Sequence, residues 1–319
     1  MIITVTLNAA IDKTLSVPNF RLGRRHRTVE QTTMAGGKGV NVARALMALG
    51  QPVIATGLQG GPTGTRIVEQ LTQESILNDF VRIGEESRTN TAVIDPTSGE
   101  QTEINERGPA VTAKELELFR EKLVYLARGA AIVVLAGSLP RGVEADAYAE
   151  LIRELKRVDV DVIVDTEGEP LRHAVRAEPT VISPNVIEAE ELVGHEFNDE
   201  QDMISAVREM GTLGTKQAVM TTPDGCFACL PAADGAPTLL RARIEPREPV
   251  ATVGSGDAFL AGFVAARYTG RPPEEWLRFG VACGAESTQR LGAGRVERRE
   301  VERLVAEVEV VRVEEPAGV

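Results

Sequence analysis

The sequence predicts an α/β protein with a mostly parallel central sheet, helices on both faces and a small β-sheet lid. Three observations carry the prediction. Between residues 131 and 220, short aliphatic runs alternate with amphipathic stretches of helical period, the pattern of parallel strands joined by crossover helices. Polar turns fall at the carboxyl ends of those strands, the edge on which open α/β sheets carry ligands. Nearer the start, two pairs of short alternating segments break the pattern. They read as hairpins inserted roughly over 12–34 and 88–107 and standing off the main sheet.

In order, a buried strand over 2–7 is followed by Asn8-Ala9-Ala10-Ile11-Asp12. A carboxylate just past a first strand suits a ligand group and suits a turn equally well, so Asp12 alone leaves both readings open. Alternating segments at 15–20 and 28–33 flank a basic cluster, Arg21, Arg24, Arg25, His26 and Arg27. Ala35-Gly36-Gly37-Lys38-Gly39-Val40-Asn41 then leads into an apolar helix over 42–49. Closely spaced glycines let a backbone approach a ligand, and Asn41 at the helix start is placed to hydrogen-bond it. This is not a P-loop, because Gly-x-x-x-x-Gly-Lys-Ser/Thr is absent.

A strand over 53–57 and a helix over 65–73 come next. Segments 91–95 and 101–105 form the second hairpin, with Arg88-Thr89-Asn90 at its entrance. The helix over 112–127 opens with a capping box from Thr112 to Glu115. Strands at 131–135, 160–164, 180–182 and 217–220 then alternate with helices at 145–156, 169–177, 189–193 and 203–210. Three strands end in polar turns: Gly137-Ser138-Leu139-Pro140-Arg141, Asp165-Thr166-Glu167-Gly168 and Ser183-Pro184-Asn185-Val186-Ile187-Glu188. No repeat or interdomain linker is visible. The chain reads as one domain over 1–319, with a frayed tail from Glu314 to Val319.

The stretch Gly254-Ser255-Gly256-Asp257 opens an apolar helix over 258–268. A glycine-rich turn at a helix start aims unpaired N–H groups at one point, and the helix dipole adds positive potential. An aspartate is an odd companion for a bound anion unless it handles a proton. Phosphoryl transfer needs that pair: donors for the moving phosphoryl group and a carboxylate for the proton of the attacking hydroxyl. A capped helix after a tight turn has the same local look.

Composition narrows the class. With 35 basic and 47 acidic residues the net charge is −12, which argues against broad nucleic-acid or membrane-surface binding. A small anionic substrate remains compatible through the local arginine cluster. The chain starts directly in a strand-like run without a leader pattern, as expected of a cytoplasmic protein. Cys226 and Cys229 lie three apart in a strand-like run, so they should face opposite ways, and no redox or metal role is expected of them. His26, His173 and His195 are scattered, without zinc spacing.

Gly36-Gly37-Lys38-Gly39-Val40-Asn41 and Thr252-Val253-Gly254-Ser255-Gly256-Asp257-Ala258-Phe259 together resemble the two signatures of the ribokinase-like (phosphofructokinase B-type) carbohydrate kinases. The stretches 6–12, 137–142 and 184–188 resemble the branch of 1-phosphofructokinase and tagatose-6-phosphate kinase. The resemblance implies ATP- and Mg²⁺-dependent phosphorylation of a sugar on a Rossmann-like sheet. It makes Asp257 the base and Gly254, Ser255 and Gly256 the anion hole. It gives Asp12, Gly37, Lys38 and Asn41 to the sugar, and Asn185, Thr221, Gly225 and Ser287 to the nucleotide. Glu188 falls to the metal-bound phosphates.

Arg88, with Arg24 or Arg27 and with Ser138, would hold a substrate phosphate, a task suited to arginine. The chain departs from the family pattern on the nucleotide side, with Ser183 for a usual Lys, Thr221-Thr222-Pro223-Asp224-Gly225 for a tighter turn, and Ser287 for a common Asn. The expected activity is 1-phosphofructokinase-like. Tagatose-6-phosphate kinase, 6-phosphofructokinase, a kinase for an unphosphorylated sugar or nucleoside, and a non-catalytic sugar-phosphate sensor are the alternatives. Exposed lid edges need covering, and the resemblance implies a homodimer formed through the lid.

Overall fold

Short, near-continuous apolar runs build the centre of the molecule. Its computed structural model describes residues 1–232 and 235–313; the tail from Glu314 to Val319 lies outside the described residues. In chain order, β1 (Ile2–Thr6) lies in the core, and β2 (Ala10–Ser16) and β3 (Glu30–Gly36) leave it. Next come α1 (Lys38–Ala48), β4 (Val53–Gly60), α2 (Gly61–Gln73) and β5 (Leu77–Ile83). A hairpin of β6 (Arg88–Ile94) and β7 (Gln101–Asn105) precedes α3 (Ala113–Ala127), β8 (Ile132–Ala136) and α4 (Ala147–Lys156). Then follow β9 (Asp161–Asp165), α5 (Gly168–Arg176), β10 (Val181–Ile182), α6 (Val186–Val193) and α7 (Glu200–Thr212). The chain continues through β11 (Gln217–Thr222), β12 (Gly225–Pro231) and β13 (Pro237–Arg243). It ends with α8 (Ser255–Tyr268), α9 (Pro273–Ser287), α10 (Arg298–Val305) and β14 (Glu309–Arg312).

The large sheet has ten strands in the order β14-β13-β12-β11-β10-β9-β8-β1-β4-β5. From β11 to β5 every pairing is parallel, and β12, β13 and β14 extend it antiparallel. Along each inner strand, successive side chains enter different cores. Ile132, Val134 and Ala136 pack with α1, α2, α8, α9 and α10. Val133 and Leu135 pack with α3 to α7 on the opposite face. Burial on both faces explains the near-continuous apolar runs. Cys226 and Cys229 fall into opposite cores as expected, as free buried thiols. The Thr112–Glu115 capping box forms in both directions. Among the described residues no helix is long and apolar enough to cross a membrane.

The lid is a separate four-stranded sheet, β3-β2-β6-β7, with β2 and β6 parallel at its centre. One expectation needs correction here. The first lid strand begins at Ala10, not Leu15, so Asp12 belongs to the lid and is no turn residue behind β1. Only Leu7, Asn8 and Ala9 separate the two sheets, too few for the polar turn that the spacing suggested. Likewise β3 runs to Gly36, directly into the start of α1. Strand β5 escapes sequence reading because it is an edge strand with Asn78, Asp79 and Arg82 in its pattern.

Candidate active site

At the start of α8 the backbone turns left-handed, with Gly254 at φ 82 and ψ 6. A Cβ there would lie 2.6 Å from the Ala293 Cβ, so conformation and crowding both require glycine. Beyond its own stretch of helix, no atom lies within 4 Å of the position a Cβ would take on Gly256. The first turn of α8 is thus approachable, with Ser255 N already donating to the Thr252 carbonyl at 3.2 Å, and Gly254, Gly256 and Asp257 line a cleft of about 610 Å³.

Asp257 itself is buried, and its Oδ2 accepts a 2.8 Å hydrogen bond from Asn41 Nδ2. Burial, reinforced by the negative charge of Asp165, pushes its carboxyl up to about 7. The Lys38 charge and the Asn41 hydrogen bond pull the other way. A carboxylate poised there can accept a proton near neutral pH.

The lid supplies the facing wall. Asn90 Nδ2 on β6 donates to Asp12 Oδ1 on β2 at 2.9 Å, the two residues being register partners. Burial raises the Asp12 pKa against these favourable contacts. Gly36 touches the other side: a Cβ there would sit 1.9 Å from Asp12 Oδ2. Arg88 lines the same cleft, with Nε on the Asn8 carbonyl at 3.1 Å and Nη1 on the Glu106 carbonyl at 3.0 Å.

The third wall is anionic. Lys38 Nζ, at the start of α1, donates to Asp165 Oδ1 at 2.7 Å and to Glu188 Oε1 at 3.3 Å. Burial alone would lower the lysine pKa, but Asp165, Glu188 and Asp257 together raise it well above its ordinary value. Asn185 and Glu188 form a capping box on α6: Asn185 Oδ1 accepts from Glu188 N, and Glu188 Oε2 accepts from Asn185 N. One glutamate oxygen therefore builds the helix start while the other faces Lys38. Thr221, bridged to Asn185, completes this side.

Not every expected residue arrives. Arg24 and Arg27 lie in the exposed segment between β2 and β3 and do not line the cleft. Gly225 pairs with Arg243 inside the sheet, and Ser287 is buried with its Oγ bonded to the Gly284 carbonyl. Neither lines the cleft. Ser255 and Ser138 are also outside its lining; Ser138 Oγ accepts from Asn8 Nδ2, on the residue whose carbonyl holds Arg88. Lys38 lines the cleft with Asp12 but is paired with Asp165 and Glu188.

Sequence reading missed Asn90, Asp165 and the loop at Leu291, Gly292 and Ala293 as parts of the site. Asp165 carried a signal, since it ends an inner strand on the ligand edge. The loop after α9 carried none, because it meets Met34 and Arg44, far away in sequence, the latter at 249 residues.

The wider relationships agree with this geometry. The pfkB family carbohydrate kinase profile matches residues 5–299. A 1-phosphofructokinase of Borreliella burgdorferi is 33% identical over 311 residues, covering 97% of this chain and 98% of the relative. A tagatose-6-phosphate kinase of Staphylococcus epidermidis is 31% identical over 98% of this chain and 100% of its own. Phosphofructokinase-2 from Escherichia coli superposes with a TM-score of 0.89 at 28% identity, covering 96% of this chain and 98% of that one. With its ribokinase-like fold, its glycine-opened helix and a buried carboxylate beneath it, the chain belongs to the pfkB family of carbohydrate kinases.

Proposed function

We propose that the protein phosphorylates a ketohexose phosphate to a bisphosphate with ATP, in the manner of a 1-phosphofructokinase, as a single kinase domain. The observation that carries the reading is the buried Asp257 at the glycine-rich start of α8, in one cleft with Asp12 and Arg88. Asp12 and Asn41 orient the acceptor hydroxyl, and Arg88 binds the phosphate already on the sugar. The hydroxyl oxygen attacks the γ-phosphorus as Asp257 takes its proton, the bond to the bridging oxygen breaks, and ADP departs. The N–H groups at the glycine-rich start of α8, at Gly254 and Gly256, hold the charge that develops on the phosphoryl oxygens, and Ser255 N–H turns to them only on leaving the Thr252 carbonyl.

The donor set suits Mg²⁺. Asp165 and Glu188 present hard carboxylate oxygens beside the nucleotide wall. Among the described residues no cluster of three or more ligating side chains exists, so an ion here would rest on one or two carboxylates and the substrate phosphates. Glu188 and Asp165 would hold it, and when bound it neutralises phosphate charge. Lys38 adds a fixed cation to the same wall.

The test is ADP release with Mg-ATP against fructose 1-phosphate, fructose 6-phosphate, tagatose 6-phosphate and the free sugars. Turnover on one phosphosugar supports the reading. Activity confined to a free sugar or nucleoside overturns the role of Arg88, and silence on all substrates favours a sensor.

Two further outcomes are expected. Gly36→Ala places a methyl against the Asp12 carboxylate, so KM for the sugar should rise by about tenfold or more while KM for ATP holds. An unchanged sugar KM would remove Asp12 from the acceptor site. In kcat/KM profiles the acid limb should fall near pH 7, about tenfold per unit below it, because the ionised Asp257 is the active form. Lys38→Met should move that limb upward, since Lys38 favours the ionised carboxylate. A limb owed to the substrate's own phosphates would stay in place.

Pairing of two lids belongs to the same reading: β7 is exposed throughout and forms one edge of the lid sheet. A one-chain mass in sedimentation equilibrium would refute the dimer. Buried free thiols and dependence on ATP support a cytoplasmic setting.

A further inference from the structure

Within α1, one turn after Asn41, Arg44 is buried although its neighbours are apolar core residues. All five of its N–H donors are engaged. Nε and Nη2 form a fork on Glu74 Oε2 and Oε1, at 2.5 and 3.2 Å. Nη2 also donates to the Ala35 carbonyl at 2.7 Å. Nη1 donates to the Ala293 carbonyl and to Asn41 Oδ1, both at 3.1 Å.

The last contact has a chemical consequence. A side-chain amide can turn over and exchange its oxygen with its nitrogen. A guanidinium carries donors only and accepts nothing, so Asn41 must present its oxygen to Arg44. Its Nδ2 is then left to donate to Asp257 Oδ2 at 2.8 Å. Turned over, the amide would set its oxygen against the carboxylate and its N–H groups against the guanidinium, two repulsive contacts in place of two bonds.

We propose that Arg44, clamped by Glu74, is a positioning residue that locks the Asn41 amide in the orientation holding the Asp257 carboxylate for proton transfer. This inference rests on Asp257 being the base. The guanidinium also joins the end of lid strand β3 at Ala35, the end of α2 at Glu74 and the loop at Ala293. One side chain thus refers the carboxylate to the lid sheet, the end of α2 and the loop after α9. Arginine is required, because lysine has no planar fork and too few donors for these acceptors.

The experiment measures kcat and both KM values for Arg44→Lys and Glu74→Gln in the wild-type and Asn41→Ala backgrounds. In the wild-type background kcat should fall about tenfold to a hundredfold for Arg44→Lys, the size of one hydrogen bond to a charged group. It should fall less for Glu74→Gln, with both KM values within about twofold. In the Asn41→Ala background the same substitutions should cost less than about twofold, because Arg44 acts through that amide. Equal losses in both backgrounds would show Arg44 to be structural glue and overturn the proposal, as would unchanged kcat in the wild-type background. Glu74 is partly exposed at the end of α2, so its variant decides the matter if Arg44→Lys does not fold. Full activity of Asp257→Asn would instead remove the base assignment itself, an outcome separable from these.

Discussion

Asp257→Asn is expected to lower kcat by about three orders of magnitude while KM for ATP and for the phosphosugar stays within about twofold. The substitution keeps shape and burial and removes the negative charge and with it the capacity to accept a proton. It should also leave a sturdier protein above neutral pH. The folded carboxyl titrates near 7 against an ordinary value of 3.8, so between these values the folded state holds more proton than the unfolded chain. That group's contribution to stability therefore falls as pH rises through this window and stays low above it. The Tm of the variant should exceed that of the wild type at pH 8, with the advantage shrinking toward pH 4. Loss of activity together with a lowered Tm at pH 8 would point to structural damage and against a lost base.

The second large effect is expected at Arg88. Two of its nitrogens are tied to the carbonyls of Asn8 and Glu106, which fixes the plane of the guanidinium before any ligand arrives. A preset cation of this kind binds phosphate with little ordering cost. Arg88→Ala should raise KM for the phosphosugar by about thirtyfold to a hundredfold, the equivalent of about 2–3 kcal/mol for a charge-assisted bond. With the unphosphorylated ketohexose the same variant should match the wild type, because there is no phosphate to lose. Equal losses on both sugars would mean that Arg88 serves the lid hinge and not the substrate.

How much of this was legible beforehand depended on how local each cause was. The turn at Gly254 and the helix behind it are properties of a few adjacent residues, and they were visible. So was the doubly covered sheet, since burial on both faces writes unbroken apolar runs such as Ile132–Ala136. Asn185 and Glu188 were visible for a mixed reason, because the spacing that caps α6 also sets one carboxylate oxygen toward Lys38.

Arg44 was invisible. In sequence it is one polar residue inside an apolar helix, and its partners come from 9, 30 and 249 residues away. Asp12 was seen but left open between ligand group and turn, because three apolar or neutral residues between two strands do not announce a change of sheet. Arg24 and Arg27 illustrate the reverse: local charge suggested a phosphate site, but the fold places that segment outside the cleft.

The change of sheet at Asn8 divides the molecule's work. Asp12 and Arg88 ride on the lid, whereas Asp257, Lys38 and Glu188 stand on helices of the core. On the proposed reading, the lid recognises the substrate's phosphate and much of its sugar, while the core does the chemistry. Mutations in β2 and β6 can then exchange one acceptor sugar for another over evolutionary time while the transfer machinery stays untouched. A scaffold arranged this way can diversify its substrates without reinventing its reaction.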